Sequence, residues 1–330
     1  MSDAPSEDTE VYNFTVTDDA SGRRLDVYLA EHCADISRTR IKDLIKQGEV
    51  LVNDKTCSNP SHKLKADDAL SVIIPEPADY HLTGENIPLD ILFEDDDLLV
   101  INKSADMVVH PGAGNWSGTL VHALLHHCGD SLSGISGVLR PGIVHRLDKG
   151  TSGVMLAVKT DQAHRGLSQQ LADRSLSRTY LALVLGIPVP PKGIIDAPIG
   201  RHPRQRLKMS VRPDGKHAVT HYHVIDRYHD EIALVECKLE SGRTHQIRVH
   251  MAHHGYELLR DPLYGSQSTK ILGALRRMGM ADDLQEEVMQ FNRQTLHAAH
   301  IRFIHPVSGE ELSFDAPIPD DMQALLKVLK

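Results

Sequence analysis

The chain of 330 residues is short of the features that would assign it at once to several large classes. Its four cysteines, Cys33, Cys57, Cys128 and Cys237, have no CxxC spacing, so neither a zinc ribbon nor a disulfide framework is supported. No run of about 18 apolar residues occurs and the start carries no signal-peptide pattern, so no membrane span is expected, and a cytoplasmic location with reduced thiols is. Positive charge is not in excess: 36 Lys and Arg against 45 Asp and Glu leave a net charge of -9, which argues against a general nucleic-acid binder. The 21 histidines make no recognisable metal motif. His122 with His126, and His250 with His254, could share helix faces, but neither pair has a nearby third ligand in a known pattern, and no metal or other cofactor is expected.

Charge is nevertheless unevenly distributed. Arg201, Arg204, Arg206, Lys208, Arg212 and Lys216 form a locally basic run, while acids crowd the amino terminus. A local patch governs phosphate contact more than the sum does, so binding of a phosphate-bearing partner should be site-directed and salt-sensitive. Residues 1–18 are polar and acidic and are expected to be mobile. From Gly22 the pattern changes: Leu25, Tyr28 and Leu29 have helical spacing, and Ser37 can cap a second helix whose Ile41, Leu44 and Ile45 face inward and which Gly48 ends. Arg38, Lys42 and Lys46 recur every four residues on that helix as a cationic stripe. Residues 19–76 thus read as a small domain, the proline-bearing stretch 77–88 as a linker, and 89–330 as the main domain. In the main domain, apolar runs over 97–102, 154–158 and 180–184 alternate with helical patterns over 119–127 and 162–174. Strands exceed helices, with hairpin-like spacing in the second half, which predicts an α+β fold around a mixed, mostly antiparallel sheet. Residues 266–292, with Ile271, Leu272 and Leu275 and then Leu284, Val288 and Met289, read as an inserted helical excursion, a lid or a partner contact.

Two dense polar strings carry the chemistry. The first is Gly142-Ile143-Val144-His145-Arg146-Leu147-Asp148-Lys149-Gly150-Thr151-Ser152-Gly153, a polar, glycine-bounded segment between two apolar runs of strand length. Its carboxylate, Asp148, is flanked by Arg146 and Lys149; opposite charge favours the ionised form, which suits a nucleophile or an electrostatic stabiliser better than a general acid. Taken alone, Asp148 reads first as a loop residue in an Asx turn with surface ion pairs. About a hundred residues later comes Gly242-Arg243-Thr244-His245-Gln246-Ile247-Arg248-Val249-His250. A strand-like alternation over 232–239 precedes it, and a helix or strand resumes at Ile247. Alone, it could be a basic surface loop.

Together the strings resemble the signature pair of the RluA-type family of RNA pseudouridine synthases, and the resemblance runs over roughly residues 20–320. Further matches are Arg178-Thr179-Tyr180, Arg260-Asp261-Pro262-Leu263-Tyr264-Gly265 and Arg293-Gln294-Thr295-Leu296-His297-Ala298. Segments His110-Pro111-Gly112-Ala113-Gly114-Asn115 and 215–222 look most like the family's D branch, which acts on large-subunit (23S) ribosomal RNA. The basic helix of the small domain resembles an αL-type RNA-binding domain of the kind found in a small-subunit ribosomal protein.

The resemblance implies an isomerase that breaks the glycosidic bond of a uridine in RNA, turns the freed uracil and rejoins it through a ring carbon without a cofactor. The target base is flipped out of its stack, and the site meant in the D branch is the subunit-bridging stem-loop near the decoding centre. It makes Asp148 the catalytic aspartate, Tyr180 the active-site tyrosine stacking on uracil, and Arg248 the partner that aims the aspartate. Arg146 would enter the space left by the extruded base or contact phosphate. Arg243 and His245 would support the loop or touch phosphate, and Arg38, Lys42, Lys46, Arg204 and Arg206 would meet RNA. Ribosomal RNA is the implied partner, in work on ribosome biogenesis, with the chain acting as a monomer. Rival readings are a nucleoside glycosidase, which would need a second carboxylate in the strings, and a non-catalytic RNA-binding or ribosome-assembly module. Two departures stand out: Gly150 where many relatives carry an acid, and Arg260 where a glycine is usual, which matters if that position needs a positive φ.

Overall fold

The computed structural model describes residues 10–33, 38–74, 82–112, 115–129, 132–134, 140–205 and 207–330. It divides into two compact units, 1–81 and 82–330.

The first unit comprises β1 (Glu10–Thr15), α1 (Leu25–His32), α2 (Arg38–Gln47), β2 (Val50–Val52), β3 (Lys55–Thr56) and β4 (Ala69–Ile74). Its strands form one antiparallel sheet in the order β1-β4-β2-β3. The inward faces read from helical periodicity do bury: Leu25, Leu29, Ile41, Leu44 and Ile45 are fully enclosed with Val50, Leu70 and Val72. The mobile tail expected over 1–18 is contradicted over its second half. Residues 10–15 pair along β4, and Val16 closes the core. Backbone hydrogen bonds to a formed strand hold this segment, which its polar composition did not foretell. Residues 1–9 and the cap expected at Ser37 lie outside the described residues.

The second unit comprises β5 (Ile91–Glu94), β6 (Leu98–Lys103), α3 (Leu120–Cys128), β7 (Ser152–Val158), α4 (Asp161–Asp173), β8 (Ser177–Leu185), β9 (Lys192–Asp196), β10 (Ile199–Arg201), β11 (Met209–Val211), β12 (Val219–Tyr228), β13 (Ile232–Leu239), α5 (Gln246–His253), α6 (Ser268–Arg277), α7 (Asp282–Gln290), β14 (Leu296–Ile304), β15 (Glu311–Asp315) and α8 (Asp320–Val328). The main sheet runs β5-β6-β7-β14-β8-β13-β12-β9, with β15 on β14. Only the β7–β14 pair is parallel, so the mixed, mostly antiparallel α+β fold read from the sequence is the one observed. Both faces of the sheet are covered, which is why β7 and β8 are almost continuously apolar. On β8, Tyr180, Ala182 and Val184 join the core that contains α3 and α4 residues, while Leu183 and Leu185 face the opposite core.

That opposite core corrects two expectations. Residues 266–292 are neither lid nor free excursion: Ile271, Ala274, Leu275 and Val288 of α6 and α7 pack on Leu183, Leu185, Ile232 and Leu234 and on α8, far too buried to open. An amphipathic pattern declares an apolar face but not what covers it. The linker expected over 77–88 is shorter at its far end, because Glu85 N–H bonds to His122 O and Leu82 and Leu89 pack on the main core. Residues 75–81 lie outside the described residues.

Candidate active site

Asp148 sits on the loop that feeds β7, and that loop is tied down from the segment leading into β14. Gln294 Nε2 donates to Lys149 O (2.7 Å) and Thr151 Oγ1 (2.9 Å), and Arg293 Nη1 donates to Gly150 O (3.0 Å). Arg293 is itself held by Asp321 of α8 through two bonds of 2.7 and 2.8 Å. Where the loop enters β7, Gly153 has φ +113°, and a Cβ there would lie 2.2 Å from Ala298 O, so only glycine lets β7 approach β14 at this point.

The cation on Asp148 comes from far along the chain. Arg248 Nη1 donates to Asp148 Oδ2 at 3.1 Å, from the first turn of a helix whose residues 246–251 are all buried. The flanking bases expected to serve Asp148 do not: Lys149 Nζ turns to Asn115 Oδ1 (3.2 Å), Arg146 is exposed, and among the described residues neither makes an ion pair with Asp148. Side chains of chain neighbours diverge in a loop, so adjacency did not become contact.

Arg248 is positioned by a residue outside the predicted set. Asp261 takes Nε at 2.7 Å and Nη2 at 2.9 Å, and also accepts Leu263 N–H and Tyr264 N–H. Burial opposes the Asp261 charge, but Arg248 and these two amides outweigh it and hold the carboxyl below its ordinary range. Burial likewise opposes the Arg248 charge, and the two carboxylates keep its pKa raised. Tyr264 places its ring 5.0 Å from Arg248 Cζ, and its hydroxyl accepts Met209 N–H and lies 2.7 Å from His245 Nδ1. Both contacts are satisfied when the hydroxyl donates to Nδ1, which leaves the His245 proton on Nε2, 3.9 Å from Asp148 Oδ2. His245 has φ 57° at the start of α5. Burial chiefly, with Arg248 and Arg146 adding, lowers its pKa against the pull of Asp148 and Asp261. His245 thus stands closer to the carboxylate than a loop support would. The Asp-x-x-Tyr spacing of residues 261–264 was the signal available for Asp261 and Tyr264.

These groups surround a cavity of about 620 Å³ lined by Asp148, Tyr180, Arg248, His245, Arg146 and Arg243 among others, within the usual range of ligand pockets of roughly 300–1,000 Å³. Tyr180 is 5% exposed; burial raises its pKa against the charge of Arg178, with Asp148 adding, so the phenol stays protonated. Arg243 Nε bonds to His217 O (3.1 Å) at the rim. Arg204 is exposed beyond the β10–β11 hairpin, outside the cavity lining, and Arg206 lies outside the described residues. In the first unit, Arg38 and Lys42 converge with Arg24 on the fully buried Asp26, at 3.0, 3.4 and 2.9 Å, while Lys46 is exposed. The stripe is therefore partly neutralised from beneath.

In each histidine pair considered for metal, one ring is held as a structural donor or acceptor. His250 bonds Thr220 Oγ1 and Ala197 O, and His122 bonds Thr119 Oγ1. Asp95, Asp97 and His305 do bring ligand atoms within 4.8 Å of one another. His305 Nδ1, however, accepts Val307 and Ser308 N–H, so Nε2 carries the proton toward Asp95 Oδ2 at 2.9 Å and has no lone pair for an ion. Among the described residues no helix is long and apolar enough to cross a membrane.

A carboxylate held by a buried arginine in a nucleotide-sized cavity, in a chain that also carries a basic-helix unit, suits an enzyme that acts on a nucleotide within RNA. Comparison with known proteins agrees. The RNA pseudouridylate synthase model matches residues 97–253 and the S4 domain model residues 23–70. The chain is 50% identical over 323 residues to the ribosomal large subunit pseudouridine synthase D of Zymomonas mobilis, covering 96% of each. It is 43% identical to the protein of that name from Escherichia coli, covering 96% of this chain and 93% of that one. Among solved structures, human RNA pseudouridylate synthase domain containing 4 superposes with a TM-score of 0.54 at 25% identity, covering 72% of this chain and 92% of that one. The chain belongs to the RluA-type RNA pseudouridine synthase family, with an S4 domain at its amino end, and is an enzyme that isomerises uridine in RNA to pseudouridine.

Proposed function

We propose that this protein isomerises uridines of large-subunit ribosomal RNA, in the stem-loop that bridges the subunits near the decoding centre, acting as a monomer in the cytoplasm. The names of the relatives and the His110-Pro111 segment support the RNA; the observation that carries the chemistry is Asp148 Oδ2 held 3.1 Å from Arg248 in the cavity. The target uridine leaves its stack, at a cost of a few kcal/mol, and enters with its sugar toward Asp148. Arg146, exposed beside the cavity, fills the vacated stack or holds a flanking phosphate. Asp148, ionised against Arg248, meets the electron-poor anomeric carbon as the C1′–N1 bond breaks, either bonding to it or stabilising it. Tyr180 stacks on the ring. Arg243, Arg204, Arg206 and the S4 stripe of Arg38, Lys42 and Lys46 bind phosphates.

The test is isomerisation of large-subunit RNA by purified wild type and by Asp148→Asn, with modified positions mapped. Asp148→Asn should lose at least about a thousandfold in rate, with RNA affinity within a few-fold of wild type. Release of free uracil would favour a glycosidase, and full turnover by the variant would refute the role of Asp148.

A further inference from the structure

Two buried polar groups on the wall of the cavity are left unsatisfied by the protein. Arg178, on β8, is 7% exposed, its Nε has no hydrogen-bond partner, and among the described residues no carboxylate pairs with its guanidinium. His145 accepts Leu156 N–H on Nε2 at 3.0 Å, which puts its proton on Nδ1, and Nδ1 is buried with no acceptor. Burial first and the charge of Arg178 second push the His145 pKa down to about 3, so the ring is neutral and remains a donor.

Both residues line the same cavity as Asp148. The two-residue period of β8 puts Arg178 on the face of Tyr180. Its guanidinium lies against the loop of the second string: a Cβ on Gly242 would come within 2.9 Å of Nη1. The other buried arginines of the site are paired, Arg248 with Asp148 and Asp261 and Arg293 with Asp321. A buried cation without a counter-charge is costly, and so is a buried donor without an acceptor. Such a pair points to a ligand that arrives with negative charge on oxygen.

The reaction makes that ligand in place. When C1′–N1 breaks, the bonding pair leaves with the ring, whose charge spreads over N1, O2 and O4. We propose that Arg178 and His145 receive the departing uracil as an anion, donating to its carbonyl oxygens and holding it while it turns. C5 then returns an electron pair to C1′, and the proton lost from C5 is balanced by one gained at N1, so the ring ends neutral and isomeric. Preorganised donors aimed at developing charge in a water-poor cavity are worth far more than in water. This inference rests on the isomerase reading above.

The test is the single-turnover rate of C1′–N1 cleavage, read as loss of the target nucleotide, by the full chain on target RNA carrying uridine or 5-fluorouridine at the modified position; the fluorinated ring has no C5 proton to lose, so the comparison stops at cleavage. Fluorine withdraws electrons and makes the ring a better leaving group unaided. Arg178→Met should slow uridine by about a hundredfold or more, and 5-fluorouridine at least about tenfold less, with RNA affinity near wild type and partial recovery in Arg178→Lys. Gly242→Ala, which displaces the guanidinium without deleting it, should give the same pattern in weaker form and decides the matter if Arg178→Met does not fold. Equal losses on both substrates would overturn the proposal in favour of a structural role. Weakened binding with an unchanged single-turnover rate would overturn it in favour of a phosphate contact. Inactivity of the wild type on both RNAs would instead strike the isomerase reading.

Discussion

Removing Asp261, or the Arg248 that it holds, should cost more than removing any other single charge of the site, although Asp261 is not in position to meet substrate. It grips Arg248 through bonds of 2.7 and 2.9 Å, with side-chain exposures of 5% for the arginine and 0% for the aspartate. Charge centres about 4 Å apart attract by about 4 kcal/mol at an effective dielectric constant of about 20. Desolvation of both groups offsets much of this, so the pair as a whole adds little. Deleting one member is different, because it strands the other, and the expected loss is about 3–5 kcal/mol for either Asp261→Asn or Arg248→Met. Asp148 cannot take over, since it offers one bond of 3.1 Å and its side chain is 15% exposed. In the double variant the fully buried stranded charge is gone and only Asp148, whose side chain is 15% exposed, lacks its cation, so it should be less destabilised than the sum of the singles by at least about 2 kcal/mol. Urea unfolding of the full chain checks this, with amide exchange of β8 and β13 peptides assigning the transition to the second unit. A coupling below about 0.5 kcal/mol, or Asp261→Asn within about 1 kcal/mol of wild type, would refute the reasoning.

Acid should act on the first unit through Asp26. Burial favours its neutral form, but Arg24 and Arg38 overcome that and lower its pKa from 3.8 to about 2. A depressed carboxyl contributes stability that is fully present above about pH 4 and is lost as pH falls through about 2. The contribution is about 1–2 kcal/mol once the exposure of its cations is discounted, so Asp26→Asn should be less stable than wild type at pH 6 by that amount, with the gap closing near pH 2. A gap of the same size at both pH values, by exchange of β4 amides, would rule this out. At position 260 the arginine has φ 59° and anchors through Nε to Phe291 O at 2.8 Å. Gly and Ala variants both lose that bond, so their difference isolates the backbone: Arg260→Gly should be more stable than Arg260→Ala by about 1 kcal/mol in thermal unfolding, and the reverse order would contradict the positive φ.

The parts of the site that were legible in the sequence are those written in consecutive residues. The loop bearing Asp148 and the helix bearing Arg248 each appear as an uninterrupted polar string, and the alternation of β13 and the helical spacing of α1 and α2 are local periodicities. What a local pattern cannot say is which distant segment arrives to complete it. Arg146 and Lys149 looked like the cations of Asp148 because they are its chain neighbours, whereas its partner is 100 positions away. Arg38 and Lys42 looked free for RNA, and the acid beneath them lies on the preceding helix. The lone donors of Arg178 and His145 were invisible for a related reason: being without a partner is a property of the whole fold, and no string of residues states it.

The ties on the Asp148 loop bear on how the cost of extruding a base would be met in the proposed reaction. Ser152 donates to His297 Nδ1 at 3.0 Å, because His297 Nε2 is committed as a donor to Ala316 O at 3.1 Å. With the Gln294 and Arg293 bonds to the backbone of residues 149–151, this fixes the loop from two sides. Arg248 is fixed in turn by Asp261 and so approaches Asp148 as a rigid donor. Extruding a base already costs a few kcal/mol, and a loop that had to order itself on binding would add roughly 1–2 kcal/mol for each residue fixed. A carboxylate ordered before RNA arrives leaves the binding energy of the phosphates to meet the cost of extrusion alone, and that division of labour is what the proposed rearrangement of a stacked uridine requires.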